Sequence, residues 1–205
     1  MVIVRTMIPN AIKNFIEAWR KLPGMGPRAA TRLAFFLGDI DKETRETLVS
    51  SLQNLNSLER CGRCFFIKEK ESPLCQICRT AGRDQKIIAI VEKDTDVLSL
   101  ERAREFKGTY LILGALEEHG VLEESHKKRL EHLKTRIAED LGGSVEEIIL
   151  AINPHGLSDM LYGIVRRDFK DLARNITRLG RGIPTGGEIE FADEETLKSA
   201  LKRRI

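Results

Sequence analysis

"CGRCFFIKEKESPLCQIC", residues 61–78, holds every cysteine of the 205-residue chain, arranged as two CxxC pairs, Cys61 with Cys64 and Cys75 with Cys78, ten residues apart. Each CxxC turn aims two sulfurs at one point, and the intervening loop brings the pairs together. Four soft donors so placed are the ligand set of a tetrahedral zinc ion. Two disulfides or a redox-active dithiol are the alternatives. A cytoplasmic chain disfavours structural disulfides, and a thioredoxin-like site uses a single CxxC near a βαβ pattern. Four thiolates leave no open coordination position, so the expected cofactor is one structural Zn2+ per chain rather than a catalytic metal.

The pattern differs on the two sides of this finger. Before it, apolar residues recur at helical spacing in three groups: Ile12, Phe15, Ile16 and Trp19; Ala29, Ala30, Leu33 and Phe36; Leu48, Leu52, Leu55 and Leu58. Three short helices are expected. After it, near-continuous apolar strands alternate with helices: "KIIAIVE", a helix from about Asp96 to Phe106, "TYLILG", a helix from about Ser125 to Leu141 closed by Gly142, "EIILAIN", a helix from about Asp159 to Arg174, and "NITRLG". Repeated βα units of this kind imply a parallel sheet covered on both faces. The fold class is therefore α/β built from several modules: a helical head (1–56), a four-cysteine finger (57–80), a parallel-sheet α/β domain (81–176) and a C-terminal segment (177–205) with a terminal helix from about Glu194.

A composition of 41% hydrophobic and 32% charged residues fits a globular chain. No apolar run reaches the roughly 18 residues of a membrane span. "MVIVRTMIPNAIKN" carries Arg5 within its apolar patch and lacks a small-residue cleavage site, so it does not read as a secretory signal. The expectation is a cytoplasmic protein with no membrane partner. A net charge of +3 says little, but Lys13, Arg20, Lys21, Arg28 and Arg32 face a single acid, Glu17, between residues 13 and 38.

That basic cluster surrounds "LPGMGPRAATRLAFFL", residues 22–37. Gly24 and Gly26 permit a tight turn between two helices and leave backbone amides open to a phosphate, while Pro27 suits the first turn of the second helix. The stretch is similar to a helix-hairpin-helix motif, which holds a nucleic-acid backbone without reading bases. Lys21, Gly24, Gly26, Arg28 and Arg32 are the candidate DNA contacts. An ordinary αα-hairpin, its glycines serving only geometry, is the alternative. Ile8, Ile12, Phe15 and Trp19 either line a subunit contact or pack the head's own core.

The order of modules, with "IAIVEKDTDVLSLE" opening the α/β part, the "ILAINP" strand and the tail "ITRLGRGIPTGGEIEFADEETLKSAL", resembles the RecR family of bacterial recombination mediators. The resemblance covers nearly the whole chain and implies a Toprim-like α/β domain and a Walker B-like tail. It also implies a non-enzymatic, DNA-binding protein acting in DNA repair and homologous recombination. Such a protein assembles as a ring-like homotetramer around single- or double-stranded DNA and works with RecO and RecF to load RecA onto single-stranded DNA. A lone hairpin offers few amides and charges, so several copies on one DNA suit this reading independently.

Toprim enzymes raise a rival, a magnesium-dependent nuclease, primase or topoisomerase. That chemistry uses a glutamate after the first strand and two aspartates after a later one. Glu92 resembles the first, but Asn153 and His155 stand where the aspartates would be. No catalytic residue is assigned, and Glu92 is expected to meet a partner. The family's Glu-Gly-Glu stretch is replaced by Leu157-Ser158-Asp159, which weakens any metal site further. Asp94, Asp96 and Asp159 read as helix-capping residues. His126 and His132, six apart on a helix, do not share a face and read as solvated, and His119 falls in an acidic loop. Tyr110 and Tyr162 read as packing residues rather than nucleophiles. No GxxxxGK[ST] loop holds a nucleotide phosphate, so "PTGGEIEFAD", with Gly186 and Gly187, is not expected to support ATP hydrolysis.

Overall fold

A computed structural model describes residues 7–116, 122–153, 156–180 and 182–202, with the side chains of residues 156 and 157 left aside. His119, His155 and the Leu157 side chain lie outside the described residues. The chain forms two compact units, Met1–Leu58 and Glu59–Ile205.

The first unit holds the three expected helices: α1 (Asn10–Trp19), α2 (Pro27–Asp39) and α3 (Lys42–Asn54). Pro27 sits at the start of α2, where its missing N–H costs nothing. Asp41 starts α3, its carboxylate accepting from the Thr44 amide at 2.8 Å. Arg45 reaches back to the Ile40 carbonyl at 2.7 Å and joins α3 to the end of α2. Ala30 and Ala34 are buried, and Phe15 stacks on Trp19 with ring centroids 4.8 Å apart. Leu48, Leu52 and Leu55, expected to define the inward face of the third helix, are exposed. Leu58 leaves the helix and enters a strand.

The second unit begins with the finger: β1 (Leu58–Arg60), β2 (Ile67–Glu69) and α4 (Gln76–Arg79). There follow β3 (Ile87–Val91), α5 (Asp94–Ala103), β4 (Thr109–Ile112), α6 (Glu124–Glu139), β5 (Val145–Ala151), α7 (Gly156–Asp168), β6 (Ala173–Arg178) and α8 (Glu194–Lys202). The last four strands make a parallel sheet in the order β4-β3-β5-β6, with Val91 of β3 opposite Ile112 on one side and Ala151 on the other. The third βα helix ends at Asp168 rather than near Arg174, because residues 169–172 turn and Ala173 already starts β6.

Both sheet faces are buried, and the period-2 alternation assigns them. Ile88, Ile90, Leu111, Ile148 and Leu150 pack beneath α6 and α7 against Leu133, Ile137, Leu161, Val165 and Phe169. Ala89, Val91, Tyr110, Ile112 and Ala151 face the other way, toward Val97 and Leu100 of α5. A single helix covers this face incompletely, and Phe66 and Ile77 of the finger pack there too. The finger is thus part of the α/β body's core.

It also covers the free edge of β4. The Ile112 amide donates to the Cys64 carbonyl at 2.9 Å, filling a position that an edge strand leaves open. Phe65 holds a left-handed conformation (φ 64°), which a bulky residue adopts only when its surroundings impose it. They do so here: the Arg129 guanidinium lies 4.9 Å from its ring, His132 meets it edge-on at 5.1 Å, and Arg60 donates to its carbonyl at 2.9 Å.

Candidate metal centre and nucleic-acid interface

The two CxxC turns converge as their spacing predicts. The four sulfurs lie within 4.8 Å of one another and all four cysteines are buried. Cys64 and Cys75 Sγ are 3.5 Å apart, too far for a disulfide and close to the ~3.8 Å edge of a tetrahedron with ~2.3 Å zinc–sulfur bonds. Backbone amides point at the sulfurs: Cys75 to Cys61 at 3.3 Å, Phe66 to Cys64 at 3.4 Å, and Cys78 to Cys75 at 3.5 Å. Such donors favour thiolates. Hydrogen bonding with Cys64 drives the Cys61 thiol far below its usual range, and the same contact pushes Cys64 far above it. Four sulfurs this close cannot all ionise without a cation among them, and the arrangement is compatible with one metal ion such as zinc.

In the helical unit, the chain leaves α1 through hydrogen bonds from Leu22 N to Trp19 O (3.0 Å) and Met25 N to Leu22 O (3.1 Å), and Gly24 takes φ +75°. Gly24 therefore has an internal reason to be glycine. Gly26 caps the start of α2 with φ −74°, and a Cβ there would meet nothing within 4 Å. Lys21, Arg28 and Arg32 are exposed around the N-terminus of α2, and among the described residues none has a carboxylate within 4.0 Å. Arg28 and Arg32, one turn apart, line a shallow depression with Pro27 and Thr31.

At the C-terminal edge of the sheet, Glu92 follows β3 and is only 3% exposed. Asn153 follows β5 and is exposed. Asp94 does more than begin a helix: it accepts from the Ile67 amide at 2.8 Å and pairs with Arg60 at 2.7 Å, fastening β2 of the finger to α5. Asp96 accepts from the Lys93 amide at 2.9 Å, as a helix-start residue should. Asp159 pairs with Arg178, whose guanidinium stacks 3.9 Å from the Tyr162 ring. Beside them a cavity of about 560 Å³ is lined by Asp96, Asn153, Ser158, Arg178, Asp193 and Thr196. Among the described residues, the four cysteines are the one set of three or more Cys, His, Asp or Glu side chains that converges as metal ligands do.

The histidines differ from expectation. His126 is 2% exposed, its Nδ1 accepting from the Glu123 amide at 3.1 Å and its Nε2 lying 3.1 Å from the Ala115 carbonyl. It locks the start of α6 to the segment leaving β4, a contact 11 residues back in the chain that helical spacing does not reveal. His132 is half-buried against Phe65. Tyr110 is buried and donates to Glu101 at 2.6 Å, while Tyr162 donates to the Ile176 carbonyl at 3.2 Å.

Comparison with known proteins follows this layout. A family described as RecR, helix-hairpin-helix, matches residues 12–55; a Toprim domain matches 86–156; and the RecR C-terminal family matches 182–205. The chain is 37% identical over 203 residues to recombination protein RecR of Myxococcus xanthus, covering 97% of this chain and 98% of the relative. It is 35% identical over 199 residues to recombination protein RecR of Paenarthrobacter aurescens, with 97% and 98% covered. The chain belongs to the RecR family of recombination proteins. The RecR helix-hairpin-helix match spans Lys21 to Arg32, and the Toprim match spans Glu92 and Asn153. The RecR C-terminal match takes in Gly186, Gly187 and α8. Among the described residues no helix is long and apolar enough to cross a membrane.

Proposed function

We propose that the chain is a DNA-binding recombination mediator without catalytic activity of its own, which grips the DNA backbone through its hairpin. The carrying observation is the open turn at Gly26: a Cβ there would meet nothing within 4 Å, so the amides opening α2 are accessible to a phosphate arriving from outside. Lys21, Arg28 and Arg32, free of carboxylates within the described unit, supply the matching charge, and Gly24 shapes the turn. Backbone contacts carry no base information, so single- and double-stranded DNA of any sequence is bound.

One Zn2+ held by Cys61, Cys64, Cys75 and Cys78 fixes the finger and takes no part in chemistry. In this reading segment 1–56 binds DNA, 57–80 and 81–176 form the zinc-stabilised Toprim body, and 177–205 is the tail. Homotetramers close as a ring-like clamp, multiplying the weak contact of one hairpin. With RecO and RecF, the clamp assists RecA loading onto single-stranded DNA in the cytoplasm, and Glu92 takes part in partner recognition. A Toprim enzyme would need clustered carboxylates for magnesium, whereas Asp94 and Asp159 are engaged by arginines and Asn153 contributes no charge.

The test is a gel-shift salt series with the parent and a Lys21→Ala, Arg28→Ala double variant. The expected result is binding weakened about equally on unrelated sequences, with the log–log salt slope reduced by about 2. Undiminished binding by the variant would refute the hairpin assignment. Magnesium-dependent cleavage or synthesis that disappears in Glu92→Ala would refute the non-enzymatic one.

A further inference from the structure

Arg136 of α6 is 4% exposed. Its Nη2 donates to Gln85 Oε1 at 3.2 Å and Thr109 Oγ1 at 3.3 Å, but its Nη1 is buried with no hydrogen-bond partner. Among the described residues no carboxylate lies within 4.0 Å of it. Arg83 of the same unit is different, being paired with Glu101 through both terminal nitrogens. A guanidinium keeps its charge when buried, so neutral partners such as an amide and a hydroxyl leave it uncompensated.

The surroundings indicate where compensation comes from. Arg129, His132 and Arg136 recur three and four residues apart on one face of α6, and the first two hold Phe65, the residue after Cys64. Burial lowers the affinity of Arg136 for its proton, as does the nearby charge of Arg63; the charges acting in the opposite sense are Cys78, Cys64 and then Asp140. Arg63, between the first two cysteines, reaches the Cys78 carbonyl at 3.5 Å. Zinc bound by four thiolates keeps a net charge of about −2, and in a buried site such a charge needs partners beyond the ligands.

We propose that Arg136, together with Arg63, is the outer-sphere counter-charge of the tetrathiolate zinc centre, so that metal binding and docking of the finger onto α6 and β4 are one event. Arg136 is then a positioning residue. It holds no metal, but the thiolate charge compensates it, and it in turn stabilises the thiolates. The inference rests on the zinc reading above.

The experiment compares the parent, Arg136→Met and Arg136→Lys as zinc-loaded full chains. Zinc per chain is measured first, then zinc release to a chromogenic chelator, alkylation of the cysteines by iodoacetamide, and melting with and without metal. Loss of counter-charge should speed zinc release and alkylation about tenfold or more in Arg136→Met, with Arg136→Lys near the parent. Without metal, Arg136→Met should melt no lower than the metal-free parent, because a burdensome charge is gone. Parental zinc retention by Arg136→Met would overturn the inference. So would a lysine variant worse than methionine, since that marks Arg136 as a packing and hydrogen-bonding residue. If Arg136→Met does not fold, the lysine variant decides: parental retention supports the counter-charge, and loss of zinc overturns it. Clearly less than one zinc in the parent refutes the zinc reading itself, a separate outcome.

Discussion

The helical unit is richer in apolar residues than the α/β unit, yet buries far fewer of them. In the first, Ala30 and Ala34 are the buried side chains among the described residues, while Phe36 is 62% and Leu55 59% exposed. In the second, both sheet faces are filled, and Phe66 and Ile77 of the finger complete one of them. Helices become stable chiefly by burying a face, so three short helices with two buried alanines depend on caps, on the hairpin and on whatever covers Leu48, Val49, Leu52 and Leu55. The body, by contrast, fills both faces of its sheet from within its own unit.

The largest test of this contrast is metal removal. Chelation of zinc should lower the melting temperature of the body by more than about 10 °C, because loss of the finger uncovers the sheet face under Phe66 and the edge of β4. Amide exchange followed segment by segment should show β3 and β4 losing protection while α1 and α2 change little. Equal loss in both units would remove the distinction.

Next in size is a pair of truncations. Phe169→Ala, in the packed face, should cost about 3–5 kcal/mol in chemical denaturation. Leu52→Ala, on the open face of α3, should cost under about 0.5 kcal/mol in a dilute single chain and show itself instead as a shift in assembly by sedimentation. A large effect of Leu52→Ala at concentrations where the chain is monomeric would show that the head's face is already covered.

A smaller effect than that of Phe169→Ala lies where α5 meets β4. Burial alone would raise the Glu101 carboxyl, but hydrogen bonds from Arg83 and Tyr110 overcome it and hold the group below its ordinary value. A depressed carboxylate stabilises the fold above its unfolded value and loses that contribution as pH falls through the folded one. Glu101→Gln should therefore cost about 1–3 kcal/mol at pH 7, a penalty that shrinks as pH falls below the ordinary carboxylate range and through the lowered folded value. A penalty independent of pH would mean that the carboxylate's charge is irrelevant there.

Much of this was legible in the chain because the signals are local. Two CxxC turns at one spacing made a single thiolate cluster, Gly24 and Pro27 marked the hairpin, and near-continuous apolar runs marked a sheet buried on both sides. The histidines were read less well. Helical spacing separated His126 from His132 correctly, yet both are drawn inward by segments elsewhere in the chain, the exit of β4 and the Phe65 loop. Asp94 looked like a cap and instead fastens the finger, because its partners Ile67 and Arg60 come from a different module.

The sequence by itself determined which residues have the right chemistry: four thiols for one metal, an open glycine turn beside unpaired cations, and an α/β body lacking a second acidic pair. Periodicity and spacing act over a few residues, and these features need no more. Only the tertiary structure decided how the modules depend on each other. Phe66 and Ile77 complete a sheet face that α5 leaves partly open, and Arg136, 58 residues beyond Cys78, is buried on α6 one turn from the His132 that meets Phe65 of the finger. Those outcomes depend on which distant surfaces meet, because burial and charge compensation act between whole elements and leave no periodic trace along the chain.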